Sequence, residues 1–278
     1  MAVTAVDSSA ELSAFAAAVT GILGTVAVDS SANPVVPYSP ALTVADFEKL
    51  GITGVTSANL ATVIAALQAA TSASSVDSKL ELQALINAAA LQAIQDQSAA
   101  LIAQYGETGA TTVPTVADYL AAGVIGVDAN NLAAVNAFVE SLGVTATDTR
   151  AELQAIADAV AKLGNAADGA ANGTANLTAT DIAALGGAAA TTSAAEIALF
   201  NSIVDGLAAA DVDTQAEIAN IARIVDALAT IAAGGTASPA LTPADFALVG
   251  ITGVTTSPNG GNMAAMLNQI AATVDDGS

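Results

Sequence analysis

The chain has no cysteine, no histidine and no tryptophan, and aromatic residues fill only 3% of its 278 positions. Without cysteine there are no disulfides, no thiolate metal sites and no cysteine nucleophile. That fits a reducing compartment or a surface protein that never relies on disulfides. Without histidine the commonest general base and the commonest transition-metal ligand are missing. Basic residues are also scarce. Five Lys and Arg stand against 26 Asp and Glu, a net charge of −21. A surface so charged repels phosphate backbones, so neither nucleic acid nor an anionic membrane is an expected partner. The same charge keeps a long or crowded protein soluble. The longest candidate for a membrane segment, Leu12 to Val28, is uncharged but Ala-rich and interrupted by Gly21 and Gly24. No basic residue precedes it, and it is short of a span. It reads as a buried helix followed by a loop, and no membrane insertion is expected.

What is present is alanine, 72 of 278 residues. The core must therefore come from Ala, Leu, Ile and Val. Small side chains let helices approach closely, but a module of about 70 residues built this way is marginal alone and gains from stacking on neighbours.

The arrangement is repetitive. VDSSAEL begins at Val6, VDSKLEL at Val76, TDTRAEL at Thr147 and VDTQAEI at Val212, with their Asp residues 70, 71 and 65 positions apart. A second string follows each: LTVADF from Leu42, PTVADY from Pro114, LTATDI from Leu177 and LTPADF from Leu241. A third comes next: LGITGV from Leu50, AGVIGV from Ala122, a degenerate LGGAAA from Leu185 and VGITGV from Val249. Three ordered motifs in four cycles divide the chain into repeat units at 1–70, 71–142, 143–207 and 208–278.

Each motif has a mechanical meaning. Ser8, Ser78, Thr149 and Thr214 stand three residues before Glu11, Glu81, Glu152 and Glu217, the spacing of a capping box that starts a helix. Apolar residues then step as Leu153, Ile156, Val160, Leu163 and as Ile218, Ile221, Val225, Leu228. Leu12, Phe15, Val19 and Ile22 match them, giving one face of a long helix of about 16 residues. The second motif starts a short helix, capped by Thr43, Thr115, Thr178 and Thr242 with Asp46, Asp118, Asp181 and Asp245 three residues on. Pro243 takes the first helical position, where its missing N–H does no harm. Leu42 with Phe47, Leu177 with Ile182 and Leu241 with Phe246 have the spacing of a hydrophobic staple. Gly51, Gly123 and Gly250 are placed to end the short helix in the left-handed conformation. A middle helix follows, with faces Leu60, Val63, Ile64, Leu67; Leu132, Val135, Val139, Leu142; Ile197, Phe200, Val204, Leu207; and Met263, Met266, Ile270.

The expected fold is thus all-α: four tandem three-helix modules (long, short, middle), forming an elongated array or α-solenoid. Periodicity does not choose between beads on a string and one continuous stack.

The strings VDTQAEIANIARIVDAL, PALTPADFALVGITGV and ATVDDGS resemble the Ala-rich helical tandem repeats of very large bacterial surface adhesins, proteins typically exported by type I secretion. The resemblance covers essentially the whole chain. It implies an extracellular, cell-surface stalk or spacer in adhesion or biofilm. The third unit departs from it by lacking the GxxGV turn, and no Gly-Asp-rich calcium nonapeptide occurs. A self-assembling filament or layer subunit joining head to tail is a second possibility. A helical module that captures host proteins is a third.

No catalytic, cofactor-binding or metal-binding residue is assigned, and enzymatic activity is not expected. The repeated Ser, Thr, Asp and Glu are explained as caps. Asn165, Asp168 and Asn172 lie among glycines, and Asp275 and Asp276 come late in the chain, so a hard cation was weighed there. The twelve-residue calcium-loop pattern is absent, and the plainer reading is a polar loop. Lys49, Lys79, Arg150, Lys162 and Arg223 are scattered. Lys79 and Arg150 each follow a cap, an awkward place for a cation, and are read as solvated, with an acid on a neighbouring unit as the alternative. The expected partners are neighbouring repeat units, and a cell-surface or matrix partner stays unspecified.

Overall fold

The structure is a computed structural model that describes residues 8–26, 41–70, 75–107, 112–187, 193–256 and 261–272. These residues form helices α1 (Ser9–Thr25), α2 (Val44–Lys49), α3 (Leu60–Ala69), α4 (Lys79–Ala103), α5 (Val116–Ala121) and α6 (Leu132–Leu142). They continue with α7 (Arg150–Ala166), α8 (Ala179–Ala184), α9 (Ala194–Asp205), α10 (Gln215–Ala232), α11 (Pro243–Leu248) and α12 (Met263–Ala272). There is no strand among the described residues, only an isolated bridge between Asp168 and Ala208. The fold class is all-α. Helices of long, short and middle length recur in that order: 17, 6 and 10 residues, then 25, 6 and 11, then 17, 6 and 12, then 18, 6 and 10.

The helix starts follow from the caps. Ser8, Thr149 and Thr214 accept a hydrogen bond from the backbone of Glu11, Glu152 and Glu217, and each Glu carboxylate accepts from the cap backbone in return. Ser78 and Glu81 make the same pair of bonds. The short helices begin with the equivalent boxes at Thr43, Thr115, Thr178 and Thr242. They end at Gly51, Gly123, Gly186 and Gly250, whose φ values of 69°, 75°, 79° and 80° no β-carbon-bearing residue adopts cheaply. The third unit, degenerate in sequence, therefore keeps its left-handed cap at Gly186. One further box, Ser193 with Glu196, starts α9 and was not read from the sequence.

α4 exceeds the expected length. No Gly or Pro stands between Glu81 and Gly106, so nothing stops the helix until the 3-10 turn Gln104–Gly106.

The chain divides into two compact units, Met1–Asp96 and Gln97–Ser278, and the division falls inside α4. In the first unit, Ile22 of α1, Phe47 of α2, Val63 and Leu67 of α3, and Leu82 and Ile86 of α4 share one core. In the second unit a larger core runs from Ala99 and Ile102 of α4 through α5 to α9 and into Ile218, Ile221 and Val225 of α10. A smaller one joins Ile224, Ala227 and Ile231 of α10 to Phe246 and Met263. α4 and α10 thus each serve two cores, while the buried residues of α7 all lie within the larger one. α7 packs on α6 with one part of its surface and on α8 and α9 with the rest. α10 packs on α9 and α6 and also on α12.

α1 departs from the sequence reading. Its trailing half is buried at Ala18, Gly21 and Ile22, but Leu12 is 59% exposed. Leu82, Leu153 and Ile218, at the same distance from their caps, are buried. Phe15 and Val19 are half-buried against the core of the first unit, whereas Leu12 lies outside that cluster. The loop expected after Val26 falls outside the described residues.

Candidate functional site

The feature that recurs is a contact between the start of a long helix and the glycine turn that ends the preceding short helix. The first helical residue lies over that glycine each time. The Lys79 ammonium stands 2.8 Å from where a Cβ on Gly51 would sit. Arg150 Nε donates to the Gly123 carbonyl at 3.2 Å. Gln215 occupies the space a Cβ on Gly186 would need. Gly51 and Gly186 are thus demanded twice, by their φ and by the side chain above. A cation is misplaced at the positive end of its own helix. Arg150 instead meets the Gly123 carbonyl at the end of the preceding short helix, the negative end of another dipole. Both side chains are exposed, in keeping with the solvated reading, and the group Arg150 meets is a backbone carbonyl rather than an acid.

Four residues further on, a glutamine braces the same turn. Thr53 N–H donates to Gln83 Oε1 at 3.0 Å, and Gln83 Nε2 donates to Thr53 O at 2.8 Å. Gln154 does the same with Ile125, at 2.9 and 3.0 Å. Each amide therefore satisfies a donor and an acceptor on a turn whose backbone groups lack a helix or sheet partner. Both glutamines are braced in turn by the residue four on, Asn87 and Asp158. Where the turn motif is lost, in LGGAAA, the glutamine position holds Ala219. The sequence reading missed this pair; the co-occurrence of glutamine with GxxGV was the signal.

The remaining cations also have partners. Lys49 pairs with Asp46 at 3.0 Å, Lys162 with Asp181 at 2.7 Å, and Arg223 with Asp245. All three acids are short-helix capping acids. For each, burial works to raise the carboxyl pKa, but the Thr hydroxyl, the cation and the cap N–H outweigh it and hold it below the usual 3.8. Asp118 is lowered by the Thr115 bonds without a cation. The acid just before a long-helix cap behaves oppositely. Asp77 is raised by its hydrogen bond to Glu81 and by that group's charge, and Asp213 by burial and then by Glu217.

A half-buried amide and a buried one show how local sequence is matched. Asn201 accepts from Leu177 N–H and donates to Leu177 O, both at 2.9 Å. Asn136 donates to Pro114 O at 2.9 Å, but proline has no N–H to return. The Tyr119 hydroxyl takes that place and donates to Asn136 Oδ1 at 2.7 Å. Burial pushes the Tyr119 phenol up. Asn59, Asn131 and Asn262 each tie the start of a middle helix to the second turn glycine, donating to the carbonyls of Gly54, Gly126 and Gly253.

The polar loop weighed for a cation satisfies itself. Asp168 accepts from Ala170 N–H and from Asn172 Nδ2, and Asn172 Oδ1 accepts from Thr174. The loop is held down by Asp205 at the end of α9, a buried carboxylate the sequence reading missed. It accepts from the N–H groups of Gly173, Thr174 and Ala175, which lower its pKa. No group of three acidic residues placed to hold a metal occurs among the described residues. Asp275 and Asp276 lie outside them. A cleft of about 190 Å³ lies against α1, lined by Phe15, Val19, Leu50, Ile52 and Leu82, with Asp77, Ser78 and Lys79 as its polar lining. No helix among the described residues is long and apolar enough to cross a membrane.

No known protein family matches this chain, and no curated protein and no solved structure matches it.

Proposed function

We propose that the chain is a structural spacer: four tandem modules of long, short and middle helix, each closed by the long helix of the next, as in an α-solenoid. The observation that carries this reading is the recurring contact of Lys79, Arg150 and Gln215 with the glycine turns of the preceding modules. What is repeated is a joint, and no chemical group is repeated with it. A chain organised this way transmits position along its length, because α4 and α10 each belong to two cores. Together with the resemblance of its repeats, this supports a stalk segment of a bacterial surface adhesin or biofilm matrix protein, acting outside the cell. Its first partners are then its own neighbouring modules. The acidic surface suits a crowded array, since like charges keep neighbouring stalks apart.

Small-angle scattering tests the reading. A stacked array gives a radius of gyration well above that of a globule and a distance distribution with a long tail. A value near ~19 Å, that of a compact domain of this length, overturns it.

A further inference from the structure

One helix carries more apolar surface than its place in the fold uses. α4 turns Leu82, Ile86 and Ala89 into the core of the first unit. On its other side Leu80 is 80% exposed, Leu91 56% and Ile94 57%. At the same distances from the cap, α7 has Ala151, Lys162 and Asn165, and α10 has Ala216, Ala227 and Thr230. The repeated module therefore needs nothing large at these positions. Ala84 and Asn87, also exposed, complete the row. Leu80, Ala84, Asn87, Leu91 and Ile94 follow one another at steps of 4, 3, 4 and 3, the seam of a two-stranded coiled coil.

We propose that this row on α4 is a contact with the same row on a second copy of the chain, the two helices running antiparallel about a two-fold axis at Asn87. The row matches itself in that register and that direction. Leu80 of one copy meets Ile94 of the other, and Ala84 meets Leu91, small against large. The two Asn87 amides face each other on the axis. Asn87 Oδ1 already accepts from Gln83 Nε2 at 2.9 Å, and it keeps a second lone pair for the Nδ2 of the other copy. A parallel pair would set Ala84 on Ala84 and Leu91 on Leu91, a gap beside a crowded layer, and would align the two helix dipoles. Covering the row on both copies removes on the order of 1,000 Å² from water, the lower limit for a specific contact, so the pair is weak. The contact is isologous and closes at two copies. The charge of −21 on each chain opposes it, and added salt therefore strengthens it. A spacer needs no such pairing.

Sedimentation equilibrium of the full chain tests this. The mass rises from monomer toward dimer between about 10 μM and 1 mM and stops there. Raising NaCl from about 0.05 to 0.5 M tightens the pair several-fold. Leu91→Glu, at an exposed position, is monomeric throughout. So is Asn87→Asp, which puts two carboxylates on the axis. The monomer tolerates that change, because Asp158 accepts from Gln154 at the same place in α7. The chain has no cysteine, so single introduced thiols under a copper–phenanthroline oxidant read the register. Asn87→Cys crosslinks to itself, whereas Ala84→Cys crosslinks only when mixed with Leu91→Cys. A wild type monomeric over the whole range, a Leu91→Glu or Asn87→Asp variant that associates like wild type, or Ala84→Cys that crosslinks to itself as fast as Asn87→Cys overturns the proposal. Scattering from the dilute monomer is the same in every case, so pairing and spacer stand or fall separately.

Discussion

The string Ile-Thr-Gly-Val occurs twice, at 52–55 and at 251–254, and the two copies live in different surroundings. Both follow a six-residue helix with the same capping box, both turn through a glycine with positive φ, and both are tied to a middle helix by an asparagine. Yet Ile52 is buried and Ile251 is exposed. The difference is α4, which lays Leu82, Gln83 and Lys79 on the first turn; among the described residues no such helix lies over the second. The local chain makes the turn, and a helix nearly 30 residues away makes it a core. The same lesson appears between α1 and α7. Their leading halves carry equivalent apolar residues, and those of α7 are fully buried while Leu12 of α1 is exposed.

The largest expected effect sharpens that contrast. Ile52→Ala opens a cavity and costs about 2–4 kcal/mol, whereas Ile251→Ala at an exposed site costs less than about 1 kcal/mol. Urea titrations followed by circular dichroism separate the two. Equal losses would show that the fourth turn is covered in solution. Next come the caps. Removing Thr149 and Glu152 together costs about 1–2 kcal/mol, because α7 starts inside a packed joint. Removing Ser8 and Glu11 from α1 frays an uncovered turn and moves the calorimetric midpoint less. A midpoint unchanged by the Thr149 and Glu152 pair would show that the motif is no helix start.

The smallest effects depend on pH and differ in sign. The short-helix acids Asp46, Asp118, Asp181 and Asp245 have folded pKa values below 3.8. They contribute stability above pH ~4 that is lost as the pH falls through their depressed values. Asp181→Asn should therefore cost about 1 kcal/mol at pH 7 and progressively less as the pH falls through the lowered pKa of the wild-type acid. Asp77 is raised, so its contribution is present below 3.8 and lost as the pH rises through its folded value. Asp77→Asn should slightly raise the melting temperature at pH 7 and change nothing at pH 3. Melting curves at the two pH values check both, and a loss for Asp77→Asn at pH 7 would contradict the Asp77–Glu81 repulsion.

Much of the joint was legible in the sequence, though not as a joint. The capping boxes, the turn glycines and the apolar faces of the long and middle helices were readable because each rests on residues within a turn or two of one another. Lys79, Arg150, Gln83 and Gln154 stood in plain view inside the repeated motif. Their role was invisible because their partners lie 27 to 30 positions earlier on another helix. Asp205 escaped for the same reason, its three N–H donors coming from a loop some 30 residues before it.

By itself, then, the sequence determined where helices start and stop and that three kinds of helix recur in fixed order. Capping, glycine conformation and apolar period act over a few residues and need no neighbour. Only the tertiary structure decided that α4 and α10 each belong to two cores, that Leu12 and Ile251 stay exposed while their equivalents are buried, and that Arg150, misplaced on its own helix, answers a carbonyl at the end of another. Burial and dipole pairing depend on which surfaces meet, and the energy of a contact between distant segments is written in neither segment alone.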